Sequence, residues 1–339
     1  MEMGAVVLVP EGQDLTTVNE AHFDAPAAFE NSQPHYSSRM PILGNDVLQS
    51  WMDRVRKLGV QSLWLASGPR DGTVARSELA RLARQGVERL LVIKLKSYAE
   101  MDLADLLRFH CQKRNPVTEA HDARGQLGVS LLDRLALRAI EEKQEFCCDS
   151  TEQKRPAYKF NGYAKRIFSA SERQELVGDA LTGACAMRPL GTEIREHVWV
   201  GKGASLADSV RLVGPAYIGA RTTVRAGATI GPFVSVEHDC VVDCGTTVER
   251  STVLPYTYLA PGLLIRQGLV DGGYLENLEW GTVVDMQPAG LGSRIQRNEA
   301  RKPAFNKTSA DDLPRAENTF PWQFAPSSSA PQPWLQVRL

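Results

Sequence analysis

The chain lacks a charge of one sign. It has 39 Lys and Arg against 40 Asp and Glu, and no basic run long enough to form a nucleic-acid footprint. Nucleic acid and anionic membrane are therefore not favoured partners. No stretch approaches the roughly 18 apolar residues of a membrane span. The opening MEMGAVVLVPEGQD has neither the basic start nor the apolar length of a signal peptide, so a cytoplasmic location is expected. Cysteine is sparse: Cys111, Cys147, Cys148, Cys185, Cys240 and Cys244 show no CxxC spacing and no secretory context, and are expected to be reduced. His22, His35, His110, His121 and His197 have no triad-like spacing, and no nucleophilic Ser or Cys motif is present.

What the chain does have is a repeat. Aliphatic residues fall on every sixth position at Val200, Leu206, Leu212, Ile218, Val224, Ile230, Val236, Val242 and Val248. If such residues fill about a quarter of positions, nine hits in succession arise by chance on the order of a few times in a million. Four residues after each comes a small or β-branched one: Ala204, Val210, Ala216, Thr222, Ala228, Val234, Cys240, Thr246 and Thr252.

A short strand alternates its faces, so a large inward residue, a turn and a small inward residue describe one side of a triangular coil. Gly201, Gly219, Gly227, Gly231 and Gly245, with Pro215, Pro232, Pro255 and Pro261, suit its corners. The phase slips by one residue after Val248 and continues at Val253, Leu259 and Ile265, giving about four coils between Val198 and Val270. The segments IGARTT, VRAGAT and IGPFVS resemble the hexapeptide-repeat family, and that resemblance implies a left-handed parallel β-helix.

The first half reads differently. AVVLV at 5–9 is a buried-strand pattern, and Val47, Leu48, Trp51, Met52, Val55 and Leu58 follow a helical period ended by Gly59. VQSLWLA is strand-like, and helix, Gly, Val and strand then recur in SELARLARQGVERLLVIKL. A third helix is expected over Leu103 to Lys113, then a weaker strand near Val117 to Ala120. Strands alternating with helices predict an α/β domain with a mostly parallel sheet covered on both faces.

RMPILGNDVLQSWMDRVRKLGVQSLWLAS and LLVIKLKSYAEMDLADLLRFHCQKRNPVT resemble sugar-phosphate nucleotidyltransferases, the NDP-sugar pyrophosphorylases related to mannose-1-phosphate guanylyltransferase. The resemblance extends over roughly residues 1 to 290. It implies a Rossmann-like nucleotidyltransferase-type domain over 1–165, a connecting helix over 166–195 and the β-helix over 196–295. Residues 296–339, polar and ending near APSSSAPQP, are expected to be a disordered tail. Its aromatic residues Phe320, Trp322, Phe324 and Trp334 either dock on a protein partner or fold back on the body, or are simply disordered.

The same resemblance implies a glycine-rich phosphate loop and Mg²⁺ held by two carboxylates. The chain departs from both. PEGQDLTT offers Gly12 alone; Lys96 stands where the first metal Asp is expected; KFNGYAKRIFSASERQELV supplies no Asp for the second. Nucleotidyl transfer is therefore expected to be weakened or lost, leaving a binding, regulatory or assembly role, with Mg²⁺ required only if transfer is retained.

Gly12, Lys94 and Lys96 are candidate contacts to a sugar phosphate or nucleotide sugar, although solvated surface lysines explain the last two as simply. An active sugar-1-phosphate nucleotidyltransferase remains the alternative, and a homo-oligomer is expected. A second alternative is acyl transfer by the coil, with His238 as general base. The neighbouring His238, Asp239, Cys240, Asp243 and Cys244 resemble a metal cluster superficially, but the repeat spreads them over two coils and points Cys240 inward; no metal site is expected there.

Overall fold

The computed structural model describes residues 3–10, 41–60, 62–68, 84, 86–141, 157–295 and 334–337. The expected helix before Gly86, the loop around Gly12, His22, His35, Cys147, Cys148 and most of the tail lie outside them. No helix among the described residues is long and apolar enough to cross a membrane.

The first unit is built on β1 (Met3–Pro10), β2 (Ser62–Gly68), β3 (Arg89–Lys94), β5 (Val117–Asp122), β6 (Gly125–Asp133) and β7 (Tyr158–Lys159). With β26 (Trp334–Val337) they form one sheet in the order β26-β2-β1-β3-β6-β5-β7. β26 places part of the tail antiparallel to β2. β1 alternates its faces: Ala5 and Val7 join the cluster of Trp51, Leu63, Leu91, Ile93 and Leu106, while Val6 joins Trp64, Leu90, Val92, Ala136 and Leu137 on the other side. The sheet is thus covered on both faces. Helix α1 (Val47–Lys57) is capped by Asp46, which accepts from Leu48 N at 2.8 Å; α2 (Leu103–Lys113) is capped likewise by Asp102. A third helix, α3 (Arg134–Glu141), follows β6.

The sheet is mixed, which corrects the expectation of a mostly parallel one. β1 runs parallel to β2 and β3, but β6 runs antiparallel to both β3 and β5. The cause is a tight turn at 123–124, where the Asp122 carboxylate accepts from Arg124 N at 2.8 Å and Gly125 takes φ +115°. β6 returns along β5 as a hairpin instead of crossing over.

The second unit is a three-sided stack. One side is β10 (Val198–Val200), β13 (Ala216–Ile218), β16 (Val234–Val236), β19 (Thr252–Val253) and β22 (Gly268–Asp271); the next is β11 (Ser205–Leu206), β14 (Thr223–Val224), β17 (Val241–Val242) and β20 (Thr257–Leu259). The third is β12 (Arg211–Leu212), β15 (Thr229–Ile230), β18 (Thr247–Glu249) and β21 (Leu264–Arg266). Each strand pairs in parallel with its equivalent three hexapeptides on: Val200 with Ile218, then Ile218 with Val236. The step shortens by one residue at Val236 with Val253, where the phase slip was read.

This parallel stack is compatible with a β-helix, and its core is the repeat column itself: Ile218, Val224, Ile230, Val236, Val242, Val248, Val253, Leu259 and Ile265. Each contributes about 1.5 to 3 kcal/mol of transfer free energy. At one corner Gly231 has φ +113°, and a Cβ there would lie 1.7 Å from Val213 O, so only glycine fits.

The start of the stack is overlaid by β9 (Thr192–Arg195), antiparallel to β10. Its far end is closed by β23 (Tyr274–Asn277), β24 (Val283–Asp285) and β25 (Gly292–Arg294). Helix α4 (Ala170–Leu181) joins the units, and its capping box pairs Ser169 with Glu172. It packs on the first side of the coil: Gln174 Nε2 donates to Phe233 O at 2.8 Å, and Thr252 Oγ1 donates to Gln174 Oε1 at 2.7 Å.

Candidate functional site

The parallel strands β1 and β3 end at one edge of the sheet, the edge where ligands of open α/β sheets bind. Beyond β3 the chain doubles back sharply, Lys96 N donating to Lys94 O at 2.6 Å. Gly128 of β6 makes room for this turn. It has φ +76°, and a Cβ there would sit 2.9 Å from Lys94 O, 3.3 Å from Lys94 Cβ and 3.6 Å from Lys96 Cβ. The two lysines therefore leave the backbone on either side of one glycine.

A second segment reaches this point. β4 (Ser97–Ala99) pairs with β8 (Ala164–Arg166), Ser97 opposite Arg166, and Ile167 N donates to Lys96 O at 3.1 Å. The Lys96 ammonium lies 5.3 Å from the centre of the exposed Phe168 ring. Arg166 donates to both oxygens of Asp122 at 3.0 and 2.9 Å, and these bonds hold the Asp122 carboxyl below its ordinary range. Lys96 thus lies against Phe168, with Arg166 on the strand beside it and Lys94 two residues before it, and these residues make the candidate patch. Arg166 and Phe168 went unnoticed in the sequence because their segment was read only for a missing Asp.

This patch does not fit a divalent cation. Mg²⁺ takes oxygen ligands, whereas the side chains assembled here are two lysines and an arginine, and Asp122 already accepts from Arg166 through both oxygens. Among the described residues no group of three or more His, Cys, Asp and Glu is arranged to hold a metal.

At the seam between the units lie two buried ionisable residues that sequence reading missed. Glu237, at the end of β16, is fully buried. One of its oxygens accepts from Leu43 N at 2.8 Å and from Ser235 Oγ at 2.8 Å, the other from Gly44 N at 2.9 Å. Burial pushes its carboxyl up, against the lowering pull of Ser235, the Gly44 amide, Arg173 and the Leu43 amide. Arg173 of α4, also buried, donates to Pro41 O. The loop at 41–46 is fastened further by Leu190 N on Leu43 O at 2.9 Å and by Asn45 Nδ2 on Arg188 O at 2.7 Å. The available signal was positional: Glu237 stands where the coil before it has Gly219.

His238 sits at a corner, partly exposed, with Nδ1 2.9 Å from Asp239 Oδ2 and its ring edge-on to Tyr256. Burial would raise Asp239, but the hydrogen bonds from His238 and Arg221 outweigh it and hold the carboxyl down at about 2. The neighbouring residues diverge. Cys240 is buried in the coil with its thiol pushed up, Asp243 binds Arg225 at 3.0 Å and Tyr258 at 2.9 Å, and Cys244 is exposed. The arginine partners stand one coil before their aspartates, as stacked positions require. Of the other histidines, His110 is buried against Thr118 Oγ1 at 2.8 Å and His121 lies 3.3 Å from Glu119. Cys111, Cys185, Cys240 and Cys244 are free thiols.

No family model matches the chain. Over 103 residues it is 33% identical to a UTP–glucose-1-phosphate uridylyltransferase of Synechocystis sp.. That stretch is 30% of this chain and 26% of the relative, so the chain spans about a quarter of the protein it matches.

Proposed function

We propose that this chain is a nucleotidyltransferase-like protein of sugar-nucleotide or polysaccharide metabolism that binds a sugar phosphate or nucleotide sugar and has lost metal-dependent nucleotidyl transfer. In this reading its first unit is a Rossmann-like domain of nucleotidyltransferase type. The coil is a left-handed parallel β-helix serving assembly, and the protein is cytoplasmic.

The observation that carries the reading is the chemistry at the strand ends. Lys96 occupies a place where the family resemblance expects a carboxylate, and the segment expected to bring a second carboxylate brings Arg166 beside it. Lysines there disfavour a metal and would attract a phosphate, while Arg166 is already paired with Asp122. Lys94 and Lys96 would act as point charges on phosphate oxygens, and Phe168 would offer its face to a base or sugar ring. The partial likeness to a uridylyltransferase makes a uridine nucleotide sugar the first ligand to try.

The test is pyrophosphate release from a panel of nucleoside triphosphates and sugar-1-phosphates with Mg²⁺, beside calorimetric titration of the corresponding nucleotide sugars. Binding without turnover is expected. Turnover at ordinary enzymatic rates would establish the active transferase instead.

One observation favours a different chemistry. The His238 imidazole is held by Asp239, the arrangement that orients a general base. Acyl transfer by the coil requires acyl-CoA binding and loss of activity in His238→Ala.

A further inference from the structure

The coil grips the first unit at a turn of unusual backbone geometry. Ile42 N donates to Asn45 O at 2.9 Å and Asn45 N to Ile42 O at 3.0 Å, while Leu43 and Gly44 between them take φ +54° and +78°. Positive φ at both central residues is a tight-turn geometry that glycine and asparagine favour and leucine rarely adopts. Leu43 is nevertheless fully buried. The turn leaves its two central amides over, and the Glu237 carboxylate of the coil takes both, at 2.8 and 2.9 Å. Gly44 is pressed against the same surface, where a Cβ would lie 2.5 Å from Tyr217 Oη and 2.9 Å from Leu190 Cβ.

This turn leads into the support of the strand-end patch. Asp46, next in the chain, caps α1. From α1, Trp51 Nε1 donates to Ser97 O at 3.4 Å and Arg54 donates to Ala99 O. The Arg54 guanidinium lies 5.0 Å from the centre of the Trp51 ring and 5.6 Å from that of Tyr98. Ser97, Tyr98 and Ala99 are β4, the strand that begins directly after Lys96 and pairs with the strand of Arg166. On the other side of the turn, Pro41 O accepts from Arg173 of α4, the helix that starts two residues after Phe168. Each link is a hydrogen bond or ring contact between regular elements, the kind of connection through which a displacement can pass.

We infer that Glu237 is a positioning residue for the strand-end patch: by holding the turn at 42–45 it fixes α1, and through α1 it fixes β4 and the lysine that precedes it. Ligand affinity in the first unit then depends on a carboxylate that belongs to the coil. The inference rests on the reading of the patch as a site for a nucleotide sugar, and it gives the coil a part in binding besides any part in assembly.

The experiment is calorimetric titration of UDP-glucose into the full chain, below the first melting transition of each protein. The wild type is compared with Glu237→Ala, Glu237→Gln, Lys96→Ala and the double variants. Glu237→Ala is expected to weaken binding about tenfold, and Glu237→Gln, which keeps one acceptor, about threefold. In the Lys96→Ala background the Glu237→Ala step is expected to cost less than about twofold, because a residue that acts through Lys96 has nothing left to position. Thr246→Val separates positioning from stability alone. It removes a hydrogen bond inside the coil, from Thr246 Oγ1 to Ala260 O at 2.6 Å, and is expected to lower the melting temperature with affinity unchanged.

Folded Glu237→Ala that binds UDP-glucose as tightly as the wild type overturns the inference. So do losses that simply add in the double variant, or an equal loss in Thr246→Val. Should Glu237→Ala fail to fold, Glu237→Gln decides by the same cycle: a loss confined to the background that keeps Lys96 supports the inference, and unchanged affinity overturns it. A wild type that binds no UDP-glucose overturns the reading of the patch itself, and this inference with it.

Discussion

The coil and the α/β unit handle buried side chains in opposite ways. In the coil every inward position is filled by its own repeat, and each turn rests on the next, so the core is a column of Val, Ile, Leu and small residues. The α/β core draws on residues far apart in the chain, with Trp51, Leu63, Leu91 and Leu106 closing over one face of a mixed sheet. The coil also places its surface charges by the same rule, Arg221 on Asp239 and Arg225 on Asp243 across adjacent turns. At the seam an ionisable side chain is fully buried, where Glu237 takes the place that Gly219 has one coil earlier and holds the first unit's loop. The difference teaches that regular stacking supplies a rigid support, and that the irregular residues mark where the support is attached to something else.

The contrast breaks most visibly at the column. Ile230→Asp buries an unpaired carboxylate between two neighbouring turns and is expected to remove 4 kcal/mol or more, a loss on the scale of the whole stability of a domain. A thermal melt like that of the wild type would mean that the column does not carry the coil.

Next comes the seam. Glu237→Ala leaves the Leu43 and Gly44 amides without their carboxylate, with an expected loss of about 2 to 4 kcal/mol, and Glu237→Gln a smaller one. Calorimetry is expected to show coupled unfolding in the wild type and two resolved transitions in Glu237→Ala. Coupling retained in Glu237→Ala would place the attachment elsewhere.

Lys96→Glu sharpens the comparison from the other side. It should weaken binding of a nucleotide sugar about tenfold or more, the size of a lost charge-assisted contact, with little change in melting. Equal affinity in that variant would remove Lys96 from the site.

The smallest effect concerns Glu276 on β23, whose carboxyl is raised by burial to about 7. The folded form holds its proton more tightly than the unfolded one, so this group's contribution is full in acid and is lost as pH rises from the ordinary glutamate range through about 7. Glu276→Gln should flatten that part of a denaturation profile, and an unchanged profile would assign the slope to another group.

The coil was legible because its period is local. A six-residue repeat states which side chains face inward, and even the slip after Val248 could be read before Val236 was seen to pair with Val253. The sheet of the first unit was only half legible. β1, α1, β3 and α2 announced themselves by their apolar patterns, but the hairpin of β5 and β6 depends on an Asp-anchored turn in HDARGQ, which carries no periodic signal.

At the candidate site, Lys94 and Lys96 were visible as cations out of place. Arg166 and Phe168 were not, because their relation to Lys96 rests on the pairing of β4 with β8, between segments far apart in sequence. Glu237 was hidden for a similar reason: its partners Leu43 and Gly44 belong to the other unit.

The most direct test of the central claim is a calorimetric titration of a uridine nucleotide sugar into the full chain, run once with Mg²⁺ and once with a chelator. Pyrophosphate release is measured on the same preparation. The account expects the same affinity in both titrations and no turnover. Binding that vanishes with the chelator, or pyrophosphate released at an enzymatic rate when Mg²⁺ is supplied, would contradict it.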